Sequence, residues 1–291
     1  MHPIIDSFLK SVDFGQETHE LCRSMHSIRE RTPLLIGCNL SMAEDMDVIA
    51  GLRLLFREEN FYDLDLVLSN TRFGGQSEYR VWQFLRESDL SYDWFQNHSL
   101  SEGFALSLGA KKLYLGANAE FSRFDASDSI GSMTFKEALH YGRQNDFELD
   151  GSEDFKRLRL MTRREREKEV VHRIVAATHP DARQDLILGE WLDSALFAHD
   201  TLMRSEIKGF GLPVENLESS GIQGILNRLL ELHQALLNSR SILEGPMDGD
   251  KKFSANCHVI GIFETHERRI LALKFENLPQ SPERFIVFVE K

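Results

Sequence analysis

Between residues 32 and 116, short apolar runs bounded by turns alternate with stretches that carry apolar residues at helical spacing. TPLLIGCNLS is an apolar run with a turn on each side and predicts a buried strand. SMAEDMDVIAGLRLLFREE follows. Ser41 and Glu44 have capping-box spacing, and Met46, Ile49, Ala50, Leu52 and Leu55 share one helical face. LDLVLSN (64–70) predicts the next strand, with Leu64, Leu66 and Leu68 alternating with Asp65 and Val67, and it runs into the break Thr71–Arg72–Phe73–Gly74–Gly75. A helix over 76–88, a strand over 91–96 (SYDWFQ), a helix from Ser101 to Gly109 and a strand over 111–116 (KKLYLG) continue the pattern. This alternation argues for an α/β layer with parallel strands, whose carboxyl-end loops are the usual seat of chemistry.

Both flanks read differently. Residues 1–31 place Ile4, Ile5, Phe8, Leu9 and Val12 at helical spacing and end in the charged run Arg29–Glu30–Arg31. From about 150 the chain becomes highly charged and helical, with further helices expected at 184–198, 203–210 and 220–243. Two strands, 257–264 and 268–276, joined by a polar turn, and then ERFIVFVEK, close the sequence. The basic stretch KRLRLMTRREREK (156–168) is interrupted by Glu165 and Glu167 and carries no aromatic, so it reads as a solvated helix and not as a nucleic-acid platform.

Composition narrows the function classes. Among 291 residues, 34 Lys and Arg face 46 Asp and Glu, and a formal charge of −12 argues against binding nucleic acid through its phosphates. A hydrophobic share of 42% with 27% charged residues is that of a globular chain. No apolar run approaches the roughly 20 residues a membrane helix needs, so no transmembrane segment is expected. MHPIIDSFLK lacks the basic start and apolar core of a signal peptide. Cys22, Cys38 and Cys257 are odd in number and far apart, which fits a reducing compartment; a cytoplasmic location is the expectation. The histidines His172, His179, His233, His258 and His266 show no metal-ligand spacing, and no phosphate-loop or dinucleotide motif is present. No metal and no cofactor is therefore expected.

Two features carry candidate chemistry. Paired glycines after a buried strand, Gly74–Gly75, let backbone N–H groups approach a ligand or a developing oxyanion; the plain alternative is a turn. Ser101, with Gly103 two residues on, stands at the start of an expected helix. There it serves either as an N-cap, with Ser99 competing for that place, or as a nucleophile beside oxyanion-steadying amides.

Taken together, TPLLIGCNLS, LDLVLSNTRFGGQ and SLSEGFALSLGAKKLYLGANAEFSRFDA resemble the serine dehydrogenase proteinase family, a branch of the Clp-type peptidase and crotonase superfamily. In that family a threonine-proline-glycine-glycine-aspartate turn supplies oxyanion donors, and a helix opening serine-alanine-glycine-threonine carries the nucleophile. Ser101–Glu102–Gly103–Phe104 falls on the helix motif. Arg123–Phe124–Asp125 falls on the family's later glycine-proline-isoleucine-aspartate segment. His199–Asp200 with SEIKGFGLPVENL, and then IFETHERRILALKF, extend the likeness from about residue 35 to about 275.

The resemblance implies a Clp/crotonase-like α/β spiral of ββα units over 33–215, with a helical excursion at about 150–200. A helical segment at 1–32 precedes it, and a C-terminal helix and β-hairpin extension at 216–291 follows it. It implies a serine peptidase or related acyl-transfer hydrolase acting on a peptide or protein, with Ser101 as nucleophile. Gly74, Gly75, Glu102 and Gly103 would form the oxyanion and substrate region. Asp125 would orient a base or close a turn.

The proton acceptor would be His199, which falls on the family's own histidine, or else Lys136, whose bland reading is a solvated helix residue. A homo-oligomer is implied as well, and the apolar stretch 222–237 serves either as its contact or as core. Three departures stand out: TRFGG replaces the proline-bearing turn, Gln76 replaces its aspartate, and Glu102 replaces alanine beside the serine. They motivate a second reading as a catalytically degenerate binding or assembly module. A third is an acyl-thioester enzyme, in which two amides steady an enolate without a serine.

Overall fold

The run TPLLIGC forms strand β1 (Thr32–Cys38) at the centre of a computed structural model, with every one of its residues buried. The structure describes residues 16–38, 45–57, 61, 63–69, 75–97, 103–122, 168–187, 201–246, 252–276 and 284–289. On one side of β1 the strands run parallel: β2 (Asp63–Ser69), β3 (Ser91–Gln96), β4 (Leu113–Leu115) and β7 (Val214–Asn216) follow in that order. On its other side β1 pairs antiparallel with β9 (Lys252–Glu264), which is followed outward by β10 (Arg269–Glu276) and β11 (Arg284–Val289). β8 (Arg240–Pro246) pairs with the first half of β9. These nine strands form one continuous sheet. A separate ribbon joins β5 (Glu120–Ser122) to β6 (Thr201–Met203).

Helices cover both faces, as buried parallel strands require. Strand residues point alternately to the two sides. Leu34, Ile36, Leu64, Leu66, Leu68 and Trp94 pack with Val48, Leu52 and Leu55 of α2 (Asp45–Leu55) and with Val81, Trp82 and Leu85 of α3 (Gly75–Glu87). Leu35, Val67, Phe95 and Tyr114 pack on the opposite face. Their partners are Cys22 and Met25 of α1 (Gln16–Arg29) and Leu226 and Leu229 of the last helix, α7 (Gln223–Leu237). The short helix α4 (Phe104–Ser107), α5 over 168–178 and α6 (Arg204–Gly209) complete the helical elements used below.

The expected α/β class is what this sheet and its two helical layers show. The differences from expectation have physical reasons. Of the predicted helix from Ser101 to Gly109, the described part holds the single turn Phe104–Ser107, which opens after Gly103 in a left-handed conformation with φ of 106°. The predicted helix over 220–243 ends at Leu237, and Arg240 opens β8 instead. The apolar stretch 222–237 is spent inside the chain, where Leu226, Leu229, Leu236 and Leu237 are buried. Asp65, an alternating polar position of LDLVLSN, is fully buried between Arg29 and Arg31.

All three cysteines are buried. Among the described residues no helix is long and apolar enough to cross a membrane. Among the same residues no group of three or more His, Cys, Asp or Glu could hold a metal ion.

Candidate functional site

β2 and β3 are neighbouring parallel strands in register, with Leu66 opposite Trp94 and Val67 opposite Phe95. Their carboxyl ends, Ser69 and Gln96, therefore leave the sheet along the same edge. The connection from β2 leads into α3, which opens at Gly75, and the connection from β3 leads into α4, which opens after Gly103. Gly74, Ser101, Glu102, Asp125, Lys136 and His199 lie outside the described residues. The same holds for Ser41 and Glu44 of the expected capping box, and for Ser99.

The N-cap of α4 is Gly103, which has no side chain to cap with. The cap comes from another helix. Glu78, in the first turn of α3 and only 2% exposed, reaches across with both carboxylate oxygens. The Gly103 N–H donates to Oε1 at 2.9 Å and the Leu106 N–H donates to Oε2 at 2.9 Å. These are charge-assisted bonds to amides that have no partner within a helix so short. The opposite pole of the same turn is held too, since the Tyr92 hydroxyl donates to the Leu106 carbonyl at 2.6 Å. Burial, with the Glu78 charge adding to it, holds the Tyr92 hydroxyl well above its ordinary range, so it remains a neutral donor.

Gly103 is required here by conformation and by space. A Cβ at this position would lie 2.9 Å from Leu68 Cδ1 and 3.0 Å from the Trp94 ring. Gly103→Ala is expected to cost about 1–3 kcal/mol from the backbone conformation alone, with the Leu68 and Trp94 contact adding to it. Denaturant unfolding checks this, and a stability within about 0.5 kcal/mol of wild type would contradict it.

The end of β3 is polar and tied down. The Gln96 amide donates to the Glu120 carbonyl at 2.8 Å and accepts from Trp94 Nε1 at 3.1 Å. Asn97, 8% exposed, donates to Asn227 Oδ1 of α7 at 2.5 Å. At the end of β2 the Ser69 hydroxyl is buried, with no hydrogen-bond partner among the described residues. His179, just beyond α5, hydrogen-bonds the Ala110 backbone after α4; burial lowers its imidazole pKa, which that bond partly offsets.

No family model matches the chain, and no curated protein matches it significantly. An enoyl-CoA hydratase/isomerase from Marinobacter aquaeolei is a solved structure to which it is similar, at 11% identity and a TM-score of 0.31, covering 71% of this chain and 75% of that one.

Of the candidate site residues, Gly75 and Gly103 are the two described, and the strands that precede them end at one edge of the sheet. Glu78 is the functional candidate that sequence reading missed. Its one sequence signal is an acidic residue in the first turn of a helix that follows paired glycines, which by itself reads as an ordinary helix-dipole preference.

Proposed function

We propose that the chain is a serine hydrolase working by acyl transfer on a peptide or protein, with Ser101 as the nucleophile. The adjacency of the β2 and β3 carboxyl ends supports this reading, because β2 is followed by the helix that opens at Gly75 and β3 by the helix that opens after Gly103. In the proposed reaction the Ser101 hydroxyl adds to the substrate carbonyl and its proton passes to His199 or Lys136. The same group then protonates the leaving amine, and water releases the acyl group by the reverse sequence.

Backbone amides at Gly74–Gly75 and Glu102 are the proposed oxyanion donors. The Gly103 N–H is committed to Glu78, so Gly103 contributes backbone shape and Asp125 contributes orientation of the base. Assembly as a homo-oligomer in the cytoplasm belongs to the same reading and is measured by sedimentation and fractionation. No metal or cofactor takes part in it.

A fluorophosphonate probe is expected to label the wild-type protein and to leave Ser101→Ala unlabelled. Labelling of both would place the reactive group elsewhere and defeat the assignment.

One observation favours the second reading, a non-catalytic oligomeric module of the same fold. The buried Glu78 carboxylate already holds the Gly103 and Leu106 amides, and its charge opposes an oxyanion beside them. That reading expects intact oligomers without labelling. Acyl-CoA binding without labelling marks the thioester enzyme instead.

A further inference from the structure

We propose that the outer edge of β11 is a self-association surface, where a second copy of this chain adds its own β11 antiparallel across a two-fold axis at Val287. The inference deepens the homo-oligomer part of the reading above and rests on it for self-association alone. Nothing in it depends on Ser101.

The sheet ends differently on its two sides. On the parallel side β7 closes it with three residues, Val214–Asn216, directly after Pro213, and offers an added strand little to pair with. β11 is six residues long, and its register with β10 runs without a bulge from Arg284 opposite Lys274 to Val289 opposite Arg269. Among the described residues no strand pairs with its other side. Five of its six residues are apolar, and neither proline nor lysine interrupts them. An edge of this kind is a template for a further strand.

The charge pattern selects the strand that fits. In ERFIVFVEK (283–291) the charges invert about Val287. A two-fold antiparallel pair requires one residue to face its own copy, since residues directly opposite share a face of the sheet. With the axis at Val287, Ile286 stands opposite the partner's Phe288 and Phe285 opposite the partner's Val289. Arg284 then stands opposite the partner's Glu290, and Glu283 opposite the partner's Lys291, each pair repeated by symmetry. An axis at Ile286 would set Arg284 against the partner's Phe288, and one at Phe288 would set Ile286 against the partner's Glu290. Only the Val287 axis matches charge with opposite charge, and such cross-strand pairs stabilise a sheet. Arg284 lies in the described strand, whereas Glu283, Glu290 and Lys291 enter through the sequence alone. Within one chain Arg284 is in register with Lys274, a like-charge pair that a carboxylate from the partner offsets.

Sedimentation equilibrium of the full chain tests this with Arg284→Glu, Glu290→Arg and the two combined, each checked for folding by thermal unfolding. The wild type is expected to form a concentration-dependent dimer. Either single reversal sets like charges opposite and is expected to weaken the dimer about tenfold or more, and the double reversal to recover it to within about threefold. Val287→Cys reads the register. Directly opposed Cα atoms lie about 4.5–5.5 Å apart, within reach of a disulfide, so mild oxidation by a disulfide reagent is expected to cross-link two copies through the introduced thiols.

A wild type that stays monomeric overturns the proposal and the homo-oligomer with it. A dimer that both single reversals leave unchanged, or that the double reversal does not recover, overturns the β11 surface while the homo-oligomer stands. Absence of the Val287→Cys cross-link overturns the axis, and this variant decides alone should the reversals fail to fold. Fluorophosphonate labelling is read separately, so failure of the hydrolase reading leaves these outcomes untouched.

Discussion

Arg29→Ala is expected to destabilise the protein by about 3 kcal/mol, because it takes from a buried pair of carboxylates one of the two cations they share. Arg29 ends α1 and places its guanidinium between two neighbouring strands. Nε lies 3.1 Å from Asp65 Oδ2, and Nη2 lies 3.2 Å from Asp93 Oδ2. The side-chain exposures are 15% for Arg29, 0% for Asp65 and 6% for Asp93, so solvent screens little of this. The guanidinium also lies 4.6 Å from the Tyr114 ring centroid and 5.1 Å from that of Phe95, so alanine loses packing as well as charge. Arg31 remains on Asp65 at 2.8 Å but stands 3.6 Å from Asp93.

The sign of the pH dependence follows. Burial raises the Asp65 pKa even with both arginines in place, and their charges only partly offset it. A carboxyl raised in the folded state binds its proton more tightly there, so its contribution to stability grows as pH falls through the folded value. Without Arg29 that value rises further. The deficit of the alanine variant is therefore expected to narrow between neutral and mildly acid pH. Denaturant unfolding at several pH values measures it. A loss under about 1 kcal/mol, or a deficit that widens on mild acidification, would show the cluster behaving like an exposed ion pair.

The second large effect has the opposite sign. Glu264, at the end of β9, accepts from Arg269 Nη2 at 2.7 Å and pairs with His233 Nε2 of α7 at 3.0 Å, with Thr18 of α1 completing the cluster. Burial alone would raise its pKa. The His233 hydrogen bond and the Arg269 charge outweigh burial and hold it at about 2. The unfolded chain takes up this proton near the ordinary glutamate value, and the folded chain does not until about pH 2. The stabilisation is therefore full above the ordinary value and is lost as pH falls through the folded one, on the order of 3 kcal/mol in all. Glu264→Gln removes this and takes from Arg269, 4% exposed, the carboxylate that it meets at 2.7 Å, so a cost of about 3 kcal/mol at neutral pH is expected. The stability curve of the variant between pH 5 and 2 should be flatter than that of the wild type. An equally steep acid limb would assign the effect to other groups.

These clusters mark where sequence reading stops. The strands TPLLIGC, DLDLVLS and SYDWFQ were legible because a buried parallel sheet demands short apolar runs, and the helices between them because their buried faces recur every three to four residues. Asp65 was not legible as a core residue. What makes its burial tolerable is a pair of arginines, one ending α1 and one two residues beyond it, outside any local pattern. The break between α7 and β8 was missed because Ile242 and Leu243 prolong helical spacing past Asn238, and a short run of alternating residues fits either period. Glu78 was hidden for a different reason. Its partners are backbone amides, which every residue but proline carries, so no side-chain pattern announces them.

The position of β9 bears on how the chain reaches its native state. Glu264 faces Leu35 across the sheet and bonds to Thr18, 246 positions away in sequence. During synthesis, therefore, β1 emerges with one flank awaiting a strand whose Glu264, the partner of Leu35, is made 229 residues later. A nascent chain in that condition exposes an apolar edge of the kind that recruits chaperones or invites mispairing. The long separation also predicts slow folding relative to proteins whose sheets close locally.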